Sequence, residues 1–140
     1  MKCLFCEIAA GQVPAEIVWR GDEALAFLDH RPLFPGHVLL IPEKHVDTLA
    51  DLPPDRVGPF FQGVQKLERA VESAMGAEGT FIAVNNHVSQ SVPHLHVHIV
   101  PRSKGDGLKG FFWPRHAYES EEHLRATAQK IRDAFRNFPA

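Results

Sequence analysis

Apolar and polar positions fall in short alternating blocks along the first part of the chain and change to a three- and four-residue period further on. Ile17–Arg20 and Ala24–Leu28 read as short strands around the turn residues Gly21 and Asp22. Pro35-Gly36 makes a turn, proline pre-setting φ and glycine tolerating a positive one, ahead of the run His37–Ile41, which Pro42 ends. From Val57 to Met75, the positions Val57, Phe60, Phe61, Val64, Leu67, Val71, Ala74 and Met75 recur at helical spacing. They predict an amphipathic helix with one buried stripe, starting between Pro54 and Pro59 and stopping at Gly76. Thr80–Asn85 and His94–Val100 predict two more strands joined by the polar loop Asn86–Pro93. A last helix follows Ser120, a candidate N-cap, with Leu124, Ile131, Phe135 and Phe138 on one side. Strands, helix, strands, helix, without strict alternation, predict an α+β fold: a mostly antiparallel five-stranded sheet with one central and one C-terminal helix, the helices on one side.

The 140 residues fit a single domain spanning 1–140, and no repeat, low-complexity tract or linker interrupts them. At 44% apolar and 23% charged, the composition is that of a globular protein and excludes disordered, collagen-like and coiled-coil classes. The net charge of −2 is uneven: residues 1–101 carry seven basic and twelve acidic side chains, residues 102–140 eight and five. That asymmetry is too mild for a nucleic-acid groove. No apolar run approaches the roughly 18–20 residues of a spanning helix, and Glu7 interrupts the first apolar stretch where a signal peptide would continue. A soluble, cytoplasmic protein is expected, with neither nucleic acid nor membrane as partner.

The unusual component is histidine, present nine times. His94-Leu95-His96-Val97-His98-Ile99-Val100 alternates strictly, so on a strand the three imidazoles share one face, about 6–7 Å apart, and Leu95, Val97 and Ile99 share the other. Three chemistries suit such a row: a polar strand face, a two-histidine metal site with a bound water, or an imidazole nucleophile with neighbours. Cys3 and Cys6, three apart, read as a metal half-site, a redox pair or plain thiols.

The stretch Ser89-Gln90-Ser91-Val92-Pro93-His94-Leu95-His96-Val97-His98-Ile99-Val100-Pro101-Arg102 closely resembles the signature of the histidine triad (HIT) family. The likeness covers nearly the whole chain. Cys3-Leu4-Phe5-Cys6 with Ile8, Gly11 and Pro14 resembles the N-terminus of the bacterial type; Phe27-Leu28-Asp29, Pro35-Gly36-His37 and Ile41-Pro42-Glu43-Lys44-His45 resemble the nucleotide-binding half. Gly105-Asp106-Gly107 and the Trp113 region resemble the tail of bacterial members.

The resemblance implies hydrolysis or transfer at the α-phosphorus of a purine nucleotide, such as a dinucleoside polyphosphate or nucleoside phosphoramidate, through a nucleotidyl-histidine intermediate. By motif match His96 is the nucleophile, His98 holds an α-phosphate oxygen, and His37 orients the triad. Asn85, Gln90 and Ser91 match phosphate-binding positions, Asp29 the ribose-binding one, and Phe5, Ile8 and Phe27 the base slot. Cys3, Cys6, His45 and His94 match a structural zinc site, whose four protein ligands leave no open position for water. If His94 faces zinc, His96 stays free for chemistry. The competing functions are a zinc-stabilised nucleotide-binding module without turnover and a metalloenzyme using a histidine pair. The family also implies a homodimer.

One segment departs from the common pattern. Asn85-Asn86-His87-Val88-Ser89-Gln90 is shorter than the family's glycine-rich loop and has neither glycine, which bears on how a phosphate chain is accommodated; His87 is expected to be exposed. His30, His116 and His123 read as ordinary polar positions, and the leaving-group side of the pocket is expected to depend on the Phe111–Tyr118 tail.

Overall fold

Near-continuous apolar character in Ala24–Leu28 and Val38–Pro42 requires both faces of those strands to be covered, and they form the middle of the sheet. The computed structural model describes residues 2–108 and 115–138. It divides into two units, Met1–Asp106 and Gly107–Ala140. The first holds α1 (Leu4–Ala9), β1 (Ile17–Gly21), β2 (Ala24–Leu28), β3 (Val38–Pro42), a 3-10 turn at Leu49–Asp51, α2 (Pro54–Met75), β4 (Gly79–Val84) and β5 (Val97–Arg102). The strands lie in the order β1-β2-β3-β5-β4, every neighbouring pair antiparallel. This is the predicted five-stranded α+β architecture.

Alternation along the strands sorts the core into two layers. Ala24, Ala26, Val38, Leu40, Leu95, Val97 and Ile99 pack with Phe60, Val64, Leu67 and Val71 of α2. Leu25, Phe27, Leu39 and Ile41 face the opposite way and pack against Phe5 and Ile8 of α1. The expectation of helices on one side therefore needs correction. Six residues, apolar at every position but Glu7 and burying only Phe5 and Ile8, are too few to show a helical period, and α1 is set instead by its cap, the Cys3 side chain accepting the Cys6 N–H at 3.4 Å. α2 starts at Pro54, inside the predicted window, and ends at Gly76, whose φ of 61° is the left-handed cap expected of glycine.

The histidine strand differs from the period-two reading in one respect. Its ladder starts only at Val97, because Pro93 cannot donate and the His94 N–H is turned onto the Val92 carbonyl at 2.8 Å. The Leu95 N–H is taken by the Val46 carbonyl at 2.8 Å, and this holds the pre-strand segment extended beside the sheet. The facing rule survives, with Leu95, Val97 and Ile99 all in the α2 layer.

In the second unit, α3 (Glu121–Phe135) is capped by the Ser120 hydroxyl on the His123 N–H at 3.0 Å, as predicted. Its apolar row is exposed: Leu124, Ile131, Phe135 and Phe138 retain 42%, 65%, 74% and 74% of their accessible surface. Residues 109–114, which include Trp113 and the start of the Phe111–Tyr118 tail, lie outside the described residues.

The back of the histidine strand should carry much of the stability. Ile99, fully buried behind the triad, is expected to cost about 2–5 kcal/mol in urea unfolding when changed to alanine. The same change at the 41%-exposed Ile82, its partner across β4 and β5, should cost far less.

Candidate functional site

Hydrogen bonds fix which nitrogen of each triad imidazole carries the proton. His96 Nδ1 lies 2.7 Å from the His94 carbonyl, which can only accept, so Nδ1 is protonated and, in the neutral ring, Nε2 keeps its lone pair. His37 Nδ1 accepts the Leu33 N–H at 3.1 Å, so His37 donates from Nε2, and the acceptor 3.0 Å away is His98 Nδ1. In its neutral form, His98 then carries its proton on Nε2. The His96 and His98 rings are 5.0 Å apart by centroid, closer than ideal strand spacing, with His98 opposite Leu39 on β3 and Ala83 on β4. One imidazole thus offers a bare nitrogen and its neighbour an N–H donor.

Burial disfavours the charged forms of His98 and His37. The His98 pKa is pushed down to about 4, first by burial and then by the positive forms of His96 and His37. His37 is lowered chiefly by burial, against the pull of Asp29, whose carboxylate Oδ2 lies 3.7 Å from its Nε2.

His96 and His98 form one wall of a cleft of about 710 Å³. Phe5, Ile8, Phe27 and Leu39 make an apolar floor, and Asp29, His30, Glu16 and Ser91 bring polar groups to it. Phe5 meets the His96 ring edge-on at 5.1 Å and Phe27 at 5.4 Å. Of the sequence-derived site residues, Phe5, Ile8, Phe27, Asp29, Ser91, His96 and His98 line this cleft. His37 stands behind His98. Asn85, half-buried just past β4, and Gln90 do not line it. Both ends of the Gln90 amide are engaged elsewhere, Nε2 donating to the Asp47 carbonyl at 2.6 Å and Oε1 accepting the His87 N–H at 2.9 Å. The glycine-free loop makes its turns with His87 and Ser89 at φ of 67° and 61°, a conformation costly for residues with a Cβ; His87 is exposed, as expected. His30, an ordinary polar position by sequence, is brought to the cleft only by the fold, which sets β2 beside α1.

The second constellation forms at the other end of the same segment. The donor atoms of Cys3, Cys6, His45 and His94 all lie within 4.8 Å of one another. Cys3 Sγ is 3.3 Å and Cys6 Sγ 3.5 Å from His94 Nδ1, and Cys6 Sγ is 3.4 Å from His45 Nδ1. A tetrahedron with metal–sulfur bonds of about 2.3 Å and metal–nitrogen bonds of about 2.0–2.1 Å has sulfur–nitrogen edges of about 3.5 Å, so the spacing fits a metal ion. Tautomers agree: His94 Nε2 donates to the Pro42 carbonyl at 2.8 Å and His45 Nε2 to Asp47 Oδ1 at 2.7 Å, and both Nδ1 lone pairs are left facing the thiols. Without a metal, burial, the Cys3 hydrogen bond and the Cys3 charge push the Cys6 thiol up to about 11, so metal binding there must expel a proton. Asp47, two residues after His45, was not singled out in the sequence; its spacing from a ligand histidine was the available signal.

An antiparallel sheet that presents a bare imidazole nitrogen beside an imidazole donor, next to a thiol–imidazole cluster, defines a histidine triad protein. The HIT domain model matches residues 10–105, and the chain belongs to the HIT family. It is 31% identical over 133 residues to the adenosine 5'-monophosphoramidase hnt1 of Schizosaccharomyces pombe, covering 94% of this chain and 96% of that one. It is 38% identical over 96 residues to the asymmetrical bis(5'-nucleosyl)-tetraphosphatase of the same yeast, over 67% of this chain and 53% of that protein. Among solved structures it resembles a Zn-bound histidine triad family protein from Mycobacterium smegmatis, with TM-score 0.73, 36% identity, and coverage of 96% and 98%.

The depressed His98 pKa makes stability depend on pH. Between the unfolded value near 6.5 and the folded value of about 4, the unfolded chain binds more protons at this position, so stability must rise with pH across that window. The contribution should be complete above about pH 6.5 and lost as pH falls toward 4. Urea unfolding from pH 7.5 to 4 should therefore show a shallower pH dependence for His98→Asn than for the native chain.

Proposed function

We propose that the chain is a nucleotidyl hydrolase or transferase that cleaves purine nucleotides at the α-phosphorus, with dinucleoside polyphosphates or nucleoside phosphoramidates as the substrate class. The observation that carries this reading is the His96 Nδ1–H bond to the His94 carbonyl, which leaves Nε2 unprotonated in the cleft wall. That nitrogen's lone pair attacks phosphorus, and the bond from phosphorus to the leaving oxygen or nitrogen breaks with its electron pair. Water then attacks the nucleotidyl-His96, releasing a nucleoside monophosphate and restoring the imidazole. His98 Nε2–H donates to a non-bridging oxygen as charge builds there, and a group titrating at about 4 keeps that role unchanged at neutral pH. His37 holds His98 in its donating tautomer.

Ser91 is assigned to the phosphate, Asp29 to the ribose hydroxyls, and Phe5, Ile8 and Phe27 to the base. Two yeast relatives named for such activities support the reading. The homodimer that the family implies has a candidate contact surface in the exposed apolar row of α3. Among the described residues no helix is long and apolar enough to cross a membrane.

Incubation with adenosine 5'-phosphoramidate or diadenosine tetraphosphate should yield AMP. His96→Ala should lower kcat by at least about 10³-fold while AMP still binds. Undiminished turnover in that variant would overturn the mechanism, and AMP binding without any turnover in the native chain would leave a binding module.

Cys3, Cys6, His45 and His94 are assigned to a structural zinc that ties the N-terminal segment to the triad strand; the Zn-bound mycobacterial neighbour supports the choice of metal. Elemental analysis should find one zinc per chain, and Cys3→Ser should remove most of it. Retention of metal in that variant would point to the triad as the ligand set.

A further inference from the structure

We propose that Asp47 and Gln90 are positioning residues that form a brace between the Cys3–Cys6–His45–His94 cluster and the loop over residues 86–93, so that metal binding and the placement of that loop are coupled. The metal half of this inference rests on the assignment of that cluster as a metal centre; the brace itself is read from hydrogen bonds.

Asp47 is bonded in two directions. Its carboxylate accepts the His45 Nε2–H at 2.7 Å, and its backbone carbonyl accepts the Gln90 Nε2–H at 2.6 Å. Gln90 passes the connection on, its Oε1 taking the His87 N–H at 2.9 Å. Two further bonds run in parallel, from the Leu49 N–H to Asn86 Oδ1 at 3.0 Å and from the Leu95 N–H to the Val46 carbonyl at 2.8 Å. Residues 46–49 therefore grip the loop at Asn86 and Gln90, on both sides of its left-handed residues His87 and Ser89, and the segment just after it at Leu95.

Such conformations persist in residues with a Cβ only when their surroundings over-determine them. A loop with glycines at those turns would need less support. The next residue after Gln90 is Ser91, which with Val92 lines the cleft. A shift of His45 on metal loss is thus carried through Asp47 and Gln90 to the cleft wall, and His94 carries a second arm through its carbonyl to His96. Gln90, whose motif position implies a phosphate contact, has one bond from each end of its amide in this brace.

The test is zinc affinity, measured by competition with a chromophoric chelator on the intact chain. Gln90→Ala removes no metal ligand, yet is expected to weaken zinc binding about fivefold, the effect of one net hydrogen bond transmitted between the sites. Asp47→Ala is expected to weaken it about tenfold, the low end for an outer-shell partner, and Asp47→Asn, which keeps an acceptor for His45, should recover most of the loss. By reciprocity, AMP should bind several-fold more tightly to the zinc-loaded native chain than to the zinc-free one, and this difference should shrink in Gln90→Ala. Zinc affinity unchanged in Gln90→Ala overturns the brace, whatever AMP does. Failure of the native chain to bind AMP at all counts against the nucleotide reading and leaves the zinc measurement to decide the coupling.

Discussion

Everything distinctive about this molecule passes through one buried residue. His94 has no accessible surface, and each of its polar groups is committed: Nε2 to the Pro42 carbonyl, Nδ1 to the two thiols, the backbone N–H to Val92, and the carbonyl to His96. A buried imidazole with a missing partner is costly, so each bond constrains the others. The carbonyl bond is the one that reaches the chemistry, because it decides the tautomer of His96.

The electrostatics follow from the same economy of space. Neighbouring imidazoles disfavour one another's charge, and burial lowers His37, His94 and His98 together. His98 therefore meets whatever lies in the cleft as a dipole rather than a fixed cation, while Asp29, whose carboxylate lies within 4.8 Å of a His98 ring nitrogen, and Glu16 bring carboxylates to the same cleft. Neutral donors aimed from a rigid strand need little reorganisation as charge develops on an oxygen, which suits transfer at phosphorus.

Most of the architecture was legible because it depends on short-range patterning. The five strands, the central helix with its Gly76 stop and the Ser120 cap are written in periodicity and turn residues. α1 carries no legible period because its six residues are apolar at every position but Glu7, and its role follows only from Leu39 and Ile41, which give the sheet a second face to cover. The triad and the four-residue cluster could be placed by motif. Geometry then supplied what spacing cannot: the shortened ladder after Pro93, the tautomers, the hydrogen bonds of Gln90 to Asp47 and His87, and the linking position of Asp47.

The two faces of α1 have a consequence for how the chain is made. Phe5 and Ile8 close the cleft while Cys3 and Cys6 reach the cluster, so one helix of six residues, too short to persist alone, completes both. Its partner His94 lies 91 positions further along. At about 5–20 residues per second, a ribosome needs on the order of 5–20 s to supply it. For that interval His45 and the sheet face of Leu39 and Ile41 are already made, but the two thiols lack the His94 imidazole that both approach in the folded chain, and they are the more open to oxidation or to capture by a thiophilic ion.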